Sequence, residues 1–172
     1  MNYFELFEIP VQLKVDKTTL PRKFFELSKK FHPDYFVNEN EEKQAESLEK
    51  SALLNKAFKT FQNTEETIKY VLQLKGLLEE EEKYELPKDF LMEVLEINEQ
   101  LMDVQMDEDA ELKNKLKSAI SNLQSEIYEP VKEMVEHYQE GITTEKELLQ
   151  VKEYYYKKKY LYRIQQQLNG MM

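Results

Sequence analysis

A proline stop set directly behind a cationic, amphipathic stretch constrains this chain more than any other feature of its sequence. Between Thr18 and Phe31, the apolar residues Leu20, Phe24, Leu27 and Phe31 recur at helical spacing, while Arg22, Lys29 and Lys30 share the opposite face with Lys23 beside them. The pattern predicts a helix with an apolar front and a basic back. Thr18 or Thr19 can cap its start, and Pro21 falls in the first turn, where a missing N–H leaves no intrahelical bond unmade. Pro33 ends it, because the residue before a proline is pushed out of the α region. His32, Pro33 and Asp34 are thereby expected in a turn beside the positive face. A second helix, expected over 41–60, follows the loop Val37-Asn38-Glu39-Asn40, and its positions Leu48, Ala52, Leu54, Asn55 and Phe58 suit antiparallel packing against the first.

Strand signals are almost absent from the remainder, and only three glycines and five prolines punctuate 172 residues, so the expected fold is all-α. The net charge of −10 lies entirely in residues 76–172, since residues 1–75 carry equal numbers of basic and acidic side chains. The run Glu79-Glu80-Glu81-Glu82 interrupts the apolar pattern and reads as a solvated linker. It divides an N-terminal domain over 1–76, by a linker over 77–87, from a C-terminal domain over 88–172. Helices are expected there over 88–105, 108–139 and 144–168, forming a three-helix bundle. Pro130 either kinks the middle helix or splits it. The break Gly141-Ile142-Thr143-Thr144 supplies a stop and a fresh start, with Thr144 and Glu147 spaced as a capping box.

The first of these C-terminal helices is apolar over too wide an arc. Phe90, Val94, Ile97 and Leu101 suffice for packing, while Leu91, Leu95 and Met102 extend the arc to one side and Met92, Glu96, Glu99 and Asp103 border it. Either the last helix covers this arc, or it is an exposed patch of adaptable side chains with an acidic edge, of the kind that marks protein-binding surfaces.

Several function classes find no support. The chain has no cysteine, which excludes disulfides, thiolate metal sites and direct cysteine ligation of an iron–sulfur cluster. Paired Glu-x-x-His metal motifs are missing and His137 reads as a surface histidine, so neither a metal nor another cofactor is expected. There is no nucleophile elbow for serine hydrolysis. One basic helix in an acidic chain is too little positive field for nucleic acid. No cleavable leader precedes Asn2-Tyr3-Phe4, and no run reaches the roughly 18 apolar residues of a membrane span, so a cytoplasmic protein without membrane contact is expected.

These segments together resemble the J-domain. Tyr3-Phe4-x-Leu6-Phe7 resembles its first short helix, and Ser51-Ala52-x-x-Asn55-x-Ala57-Phe58-x-Thr60-Phe61 its third, with His32-Pro33-Asp34 as the loop signature. Tyr70-Val71-Leu72-x-Leu74-x-Gly76 and Phe90-Leu91-Met92-Glu93-x-Leu95-Glu96 are similar to the HscB subfamily, the J-type co-chaperones of iron–sulfur cluster assembly. The sequence departs from that subfamily at Glu65-Glu66-Thr67-Ile68-Lys69, where an Arg-Ala pair is commoner, and at Phe58, where relatives commonly have tryptophan.

The resemblance implies a protein that is not itself an enzyme. It would stimulate the ATPase of a DnaK- or HscA-class chaperone through Arg22, Lys23, Lys29, Lys30, His32, Pro33 and Asp34. It would hold the iron–sulfur scaffold protein IscU through Leu91, Met92, Leu95, Glu96, Glu99 and Asp103, with an aromatic of the last helix set at Tyr160 in Lys159-Tyr160-Leu161-Tyr162-Arg163-Ile164. The alternatives are a J-domain co-chaperone for a different client and a helical interaction module without chaperone activity.

Overall fold

In the computed structural model, which describes residues 1–170, every regular element is helical among the described residues. The expected all-α class is therefore the observed one. The chain forms two compact units. The first comprises Met1–Lys75 together with Val135–Thr143, and the second comprises Gly76–Met134 and the chain from Thr144 onward.

The first unit opens with α1 (Tyr3–Phe7), whose start is fixed by a capping box between Asn2 and Glu5. Short as it is, α1 delivers Phe4 and Phe7 to the core, where both rings pack on Phe61 at 4.9 and 5.2 Å between centroids. Next comes α2 (Leu20–Phe31), with Pro21 in its first turn as expected. Neither threonine caps it by a side-chain hydrogen bond. The Thr18 amide and hydroxyl instead donate to Asp16 Oδ1 at 2.9 and 2.7 Å, and these bonds hold the Asp16 carboxyl below its ordinary range.

The centre of the unit is α3 (Glu41–Phe61), capped by Asn40 and packed against α1, α2 and α4 (Thr64–Leu74). Leu54, Ala57 and Phe61 are its buried apolar residues, and Phe58 stacks on Phe24 of α2 at 4.2 Å. Leu48, Ala52 and Asn55, expected in the packed face, are exposed; Ser47 is buried in their place. On α4, Thr67 is wholly buried, its hydroxyl donating to the Thr60 and Asn63 carbonyls, while Tyr70 stacks on Tyr3 at 4.2 Å and accepts its amide N–H. The segment Val135–Thr143 contributes buried Val135 and Tyr138 to this unit. It also contributes Glu136 to an ion pair with Lys14 at 3.6 Å and Glu140 to one with Lys75. The Tyr138 hydroxyl donates to Glu140 at 2.6 Å, and burial with that carboxylate pushes its pKa well up.

The second unit is built on α5 (Lys88–Met106), α6 (Ala110–Tyr128) and α8 (Glu145–Asn169), which contact one another pairwise. Pro130 splits the middle helix: α6 ends at Tyr128, a 3-10 turn spans Glu129–Val131, and α7 (Lys132–Glu136) begins anew. Thr144 and Glu147 form the expected capping box at the head of α8. The acidic stretch before α5 is not simply solvated. Glu82 is clamped to α8 by Lys152 at 2.8 Å, and Tyr84 stacks on Tyr156 at 4.5 Å with near-parallel rings.

Candidate partner-binding surfaces

The His32-Pro33-Asp34 turn sits where two helical segments meet. His32 is extended, closing α2 and capping the 3-10 turn Pro33–Phe36. Its Nδ1 accepts the Asp34 amide N–H at 3.2 Å, which ties the imidazole to the turn. The Asp34 carboxylate lies 3.5 Å from the same nitrogen, and both side chains are more than half exposed. The Tyr35 amide closes the turn on the His32 carbonyl.

Hydrogen bonds from α3 frame this turn on both sides. The Phe31 carbonyl, an orphan at the end of α2, accepts the hydroxyls of Ser47 and Ser51, each at 2.9 Å. Beyond the turn, Gln44 Nε2 donates to the carbonyls of Val37 and Glu39, each at 3.0 Å. Gln44 and Ser47 escaped the sequence reading because polar residues inside an amphipathic helix carry no periodic signal; only Ser51 stood in a recognised motif.

The expected cationic face divides in two. Arg22, Lys29 and Lys30 are exposed and Lys23 is half-buried, and Lys23 and Lys30 both reach Glu8, at 3.5 and 3.9 Å. Glu8 gets there by adopting a left-handed conformation, φ 57°, as the residue closing α1.

On the second unit, α5 buries Phe90, Val94, Ile97, Leu101 and Val104 and leaves Leu91, Met92, Leu95 and Met102 exposed. The wide arc is therefore uncovered along one side of the helix. Met106, which the sequence reading did not include, continues it and is 87% exposed. Glu96, Glu99 and Asp103 are exposed along the edge. Tyr160 of α8 is half-buried, its ring edge against Phe90 at 6.2 Å and its hydroxyl 3.4 Å from Asn98 Nδ2. Asn98 is a helical neighbour of Leu95 and Met102, so Tyr160 stands at the rim of the strip. The described residues contain no group of three or more His, Asp or Glu able to hold a metal ion, and His137 is exposed.

Residues 86–169 match the family model described as the HSCB C-terminal oligomerisation domain. Among curated proteins, the chain is 41% identical over 102 residues to the co-chaperone protein HscB of Buchnera aphidicola subsp. Acyrthosiphon pisum, covering 59% of each chain. It is 36% identical over 105 residues to the HscB homolog of Vibrio cholerae serotype O1, covering 60% of this chain and 61% of that one. The crystal structure of human co-chaperone protein HscB superposes over 99% of this chain and 82% of its own, with a TM-score of 0.78 and 26% identity. Over residues 86–169 the chain matches the HscB family model, and its fold is similar to that of HscB structures. The matched stretch spans about three fifths of the length of these curated relatives. The fold likeness extends further: chaperone HscB from Vibrio cholerae is covered along its full length with a TM-score of 0.69 at 24% identity. The residues of the HscB resemblance thus fall on α1 to α5, and the family-model match runs from the approach to α5 to the end of α8.

Proposed function

We propose that this chain is a co-chaperone that binds an IscU-type iron–sulfur scaffold protein, brings it to a DnaK- or HscA-class chaperone and stimulates that chaperone's ATPase, promoting cluster assembly and transfer in the cytoplasm. The observation that carries the reading is the His32-Pro33-Asp34 turn, held exposed by Ser47, Ser51 and Gln44 at the end of a helix that presents Arg22 and Lys29. Exposed cations on a neutral N-terminal half steer an acidic partner and chiefly raise its association rate, while the pinned turn supplies geometry. The Leu91, Met92, Leu95, Met102 strip with its acidic edge supports the scaffold role, since an exposed apolar strip on a folded helix is free to serve a partner. Two modest sites on one chain raise the effective concentration of one partner for the other without any new contact. The chain itself catalyses nothing in this scheme.

Steady-state ATP hydrolysis by a DnaK- or HscA-class chaperone, titrated with this protein with and without purified scaffold, tests the reading. Synergistic stimulation is expected. Stimulation indifferent to the scaffold would make it a J-protein with another client, and no stimulation would overturn the co-chaperone activity.

A further inference from the structure

Arg22, Phe25, Lys29 and His32 stand at i, i+3, i+7 and i+10, so they share one side of α2 and lead in a line onto the loop. Phe25 is out of place there. Its side chain is 60% exposed, against 3% for Leu20 and Leu27, which together with the Phe24–Phe58 stack already satisfy the packing of α2. A large aromatic left in water contributes nothing to the core. Lys29 Nζ lies 4.5 Å from the centroid of the Phe25 ring, a cation–π contact that joins charge and aromatic into one composite surface. Of the helix's other lysines, Lys23 pairs with Glu8 at 3.5 Å and the exposed Lys30 lies 3.9 Å from the same carboxylate. Glu26, the acid within α2, lines a recess with Phe7, Val15, Lys23 and Arg22, so Arg22 borders both that recess and the Phe25 side of the helix.

We infer that Phe25 is the apolar anchor of the chaperone-docking face of α2, fitting with Arg22 and Lys29 an acidic partner surface that contains an apolar notch between its carboxylates. This rests on the co-chaperone reading and adds to it the source of salt-resistant affinity. Exposed cations alone give rim ion pairs that salt screens. An aromatic inside a charged rim is the usual composition of a binding hot spot, because burying the ring excludes water from the pairs around it.

The test is a titration of chaperone ATPase stimulation with the full chain and with Phe25→Ala, Phe25→Gln, Phe25→Trp and Lys29→Ala, at low and high salt. Phe25→Ala and Phe25→Gln are expected to raise the half-maximal concentration about tenfold, the scale of an aromatic interface residue, without lowering the thermal unfolding midpoint; Phe25→Trp restores binding. High salt shrinks the Lys29→Ala penalty and leaves the Phe25 penalty in place. Wild-type half-maximal concentrations for both the Ala and Gln variants, or a Phe25 penalty that fades with salt alongside that of Lys29, would overturn the inference while leaving the co-chaperone reading standing. An inert wild-type protein would overturn that reading itself, and this inference with it.

Discussion

Three residues decide most of what the loop can do, and two of them never touch a partner in this scheme. Ser47 and Ser51 together saturate the Phe31 carbonyl one residue before His32. Replacing both with alanine strands a part-buried acceptor, at a cost of about 1–3 kcal/mol. Lowered unfolding free energy in denaturant titration, accompanied by weaker ATPase stimulation, is the expected result. His32→Gln is expected to separate the two effects, because its side chain is exposed and buries little: unfolding unchanged, stimulation abolished. Wild-type stimulation by that variant would sink the assignment of the turn. Another residue reports on the other unit. Burial first, then the neighbouring Glu82 carboxylate, pushes the Tyr156 hydroxyl up to about 12. A phenol whose pKa is raised on folding contributes stability that is complete below its unfolded value near 10 and is lost as pH rises toward the folded value. Tyrosinate absorbance should therefore show Tyr156 ionising after the exposed tyrosines, and Glu82→Gln should bring it earlier.

At the scale of elements, the helices were legible where a stripe faces one neighbour throughout. On α5, Phe90, Val94, Ile97 and Leu101 are buried as their spacing demands, and the surplus of Leu91, Leu95 and Met102 is real exposure. Changing Leu91, Met92 and Leu95 together to alanine should leave the bundle's stability within a fraction of a kcal/mol per site while scaffold capture in a pull-down falls away. Leu101→Ala in the same bundle should cost about 2–5 kcal/mol. Unfolding of the triple variant would show that the strip is core. Legibility failed on α3, where Leu48 is 63% exposed and Ser47 is 3% exposed. The first turns of α3 face the end of α2, where the unmet need is a donor for a carbonyl and not apolar area. Hydrophobic periodicity has no symbol for that. The clamp of Glu82 by Lys152 was invisible for a related reason: a run of four glutamates looks uniform in sequence, and only the fold selects one of them.

For the whole molecule, the sequence reading expected the boundary in the stretch 77–87 but gave no sign that 135–143 returns to the first unit. Nothing in that segment's composition announces it, since Val135 and Tyr138 are ordinary apolar positions and Glu136 and Glu140 ordinary acids. In the fold, the two apolar residues are at most 9% exposed, and the two acids meet Lys14 and Lys75. Tyr138→Ala in the full chain should accordingly lower hydrogen-exchange protection in the first unit, and a fragment ending at residue 76 should unfold at lower temperature than that unit does in the intact protein. Equal protection in both comparisons would reduce the segment to a passive passenger. The arrangement also sets an order of events during synthesis. Domains usually complete themselves from the N-terminus as the chain emerges, but the first unit here lacks part of its core until Thr143 has been made, by which time α5 and α6 already exist. A nascent chain stalled before that point would carry the His32-Pro33-Asp34 loop on an unfinished support, so the docking loop proposed here would mature only after most of the second unit has been translated.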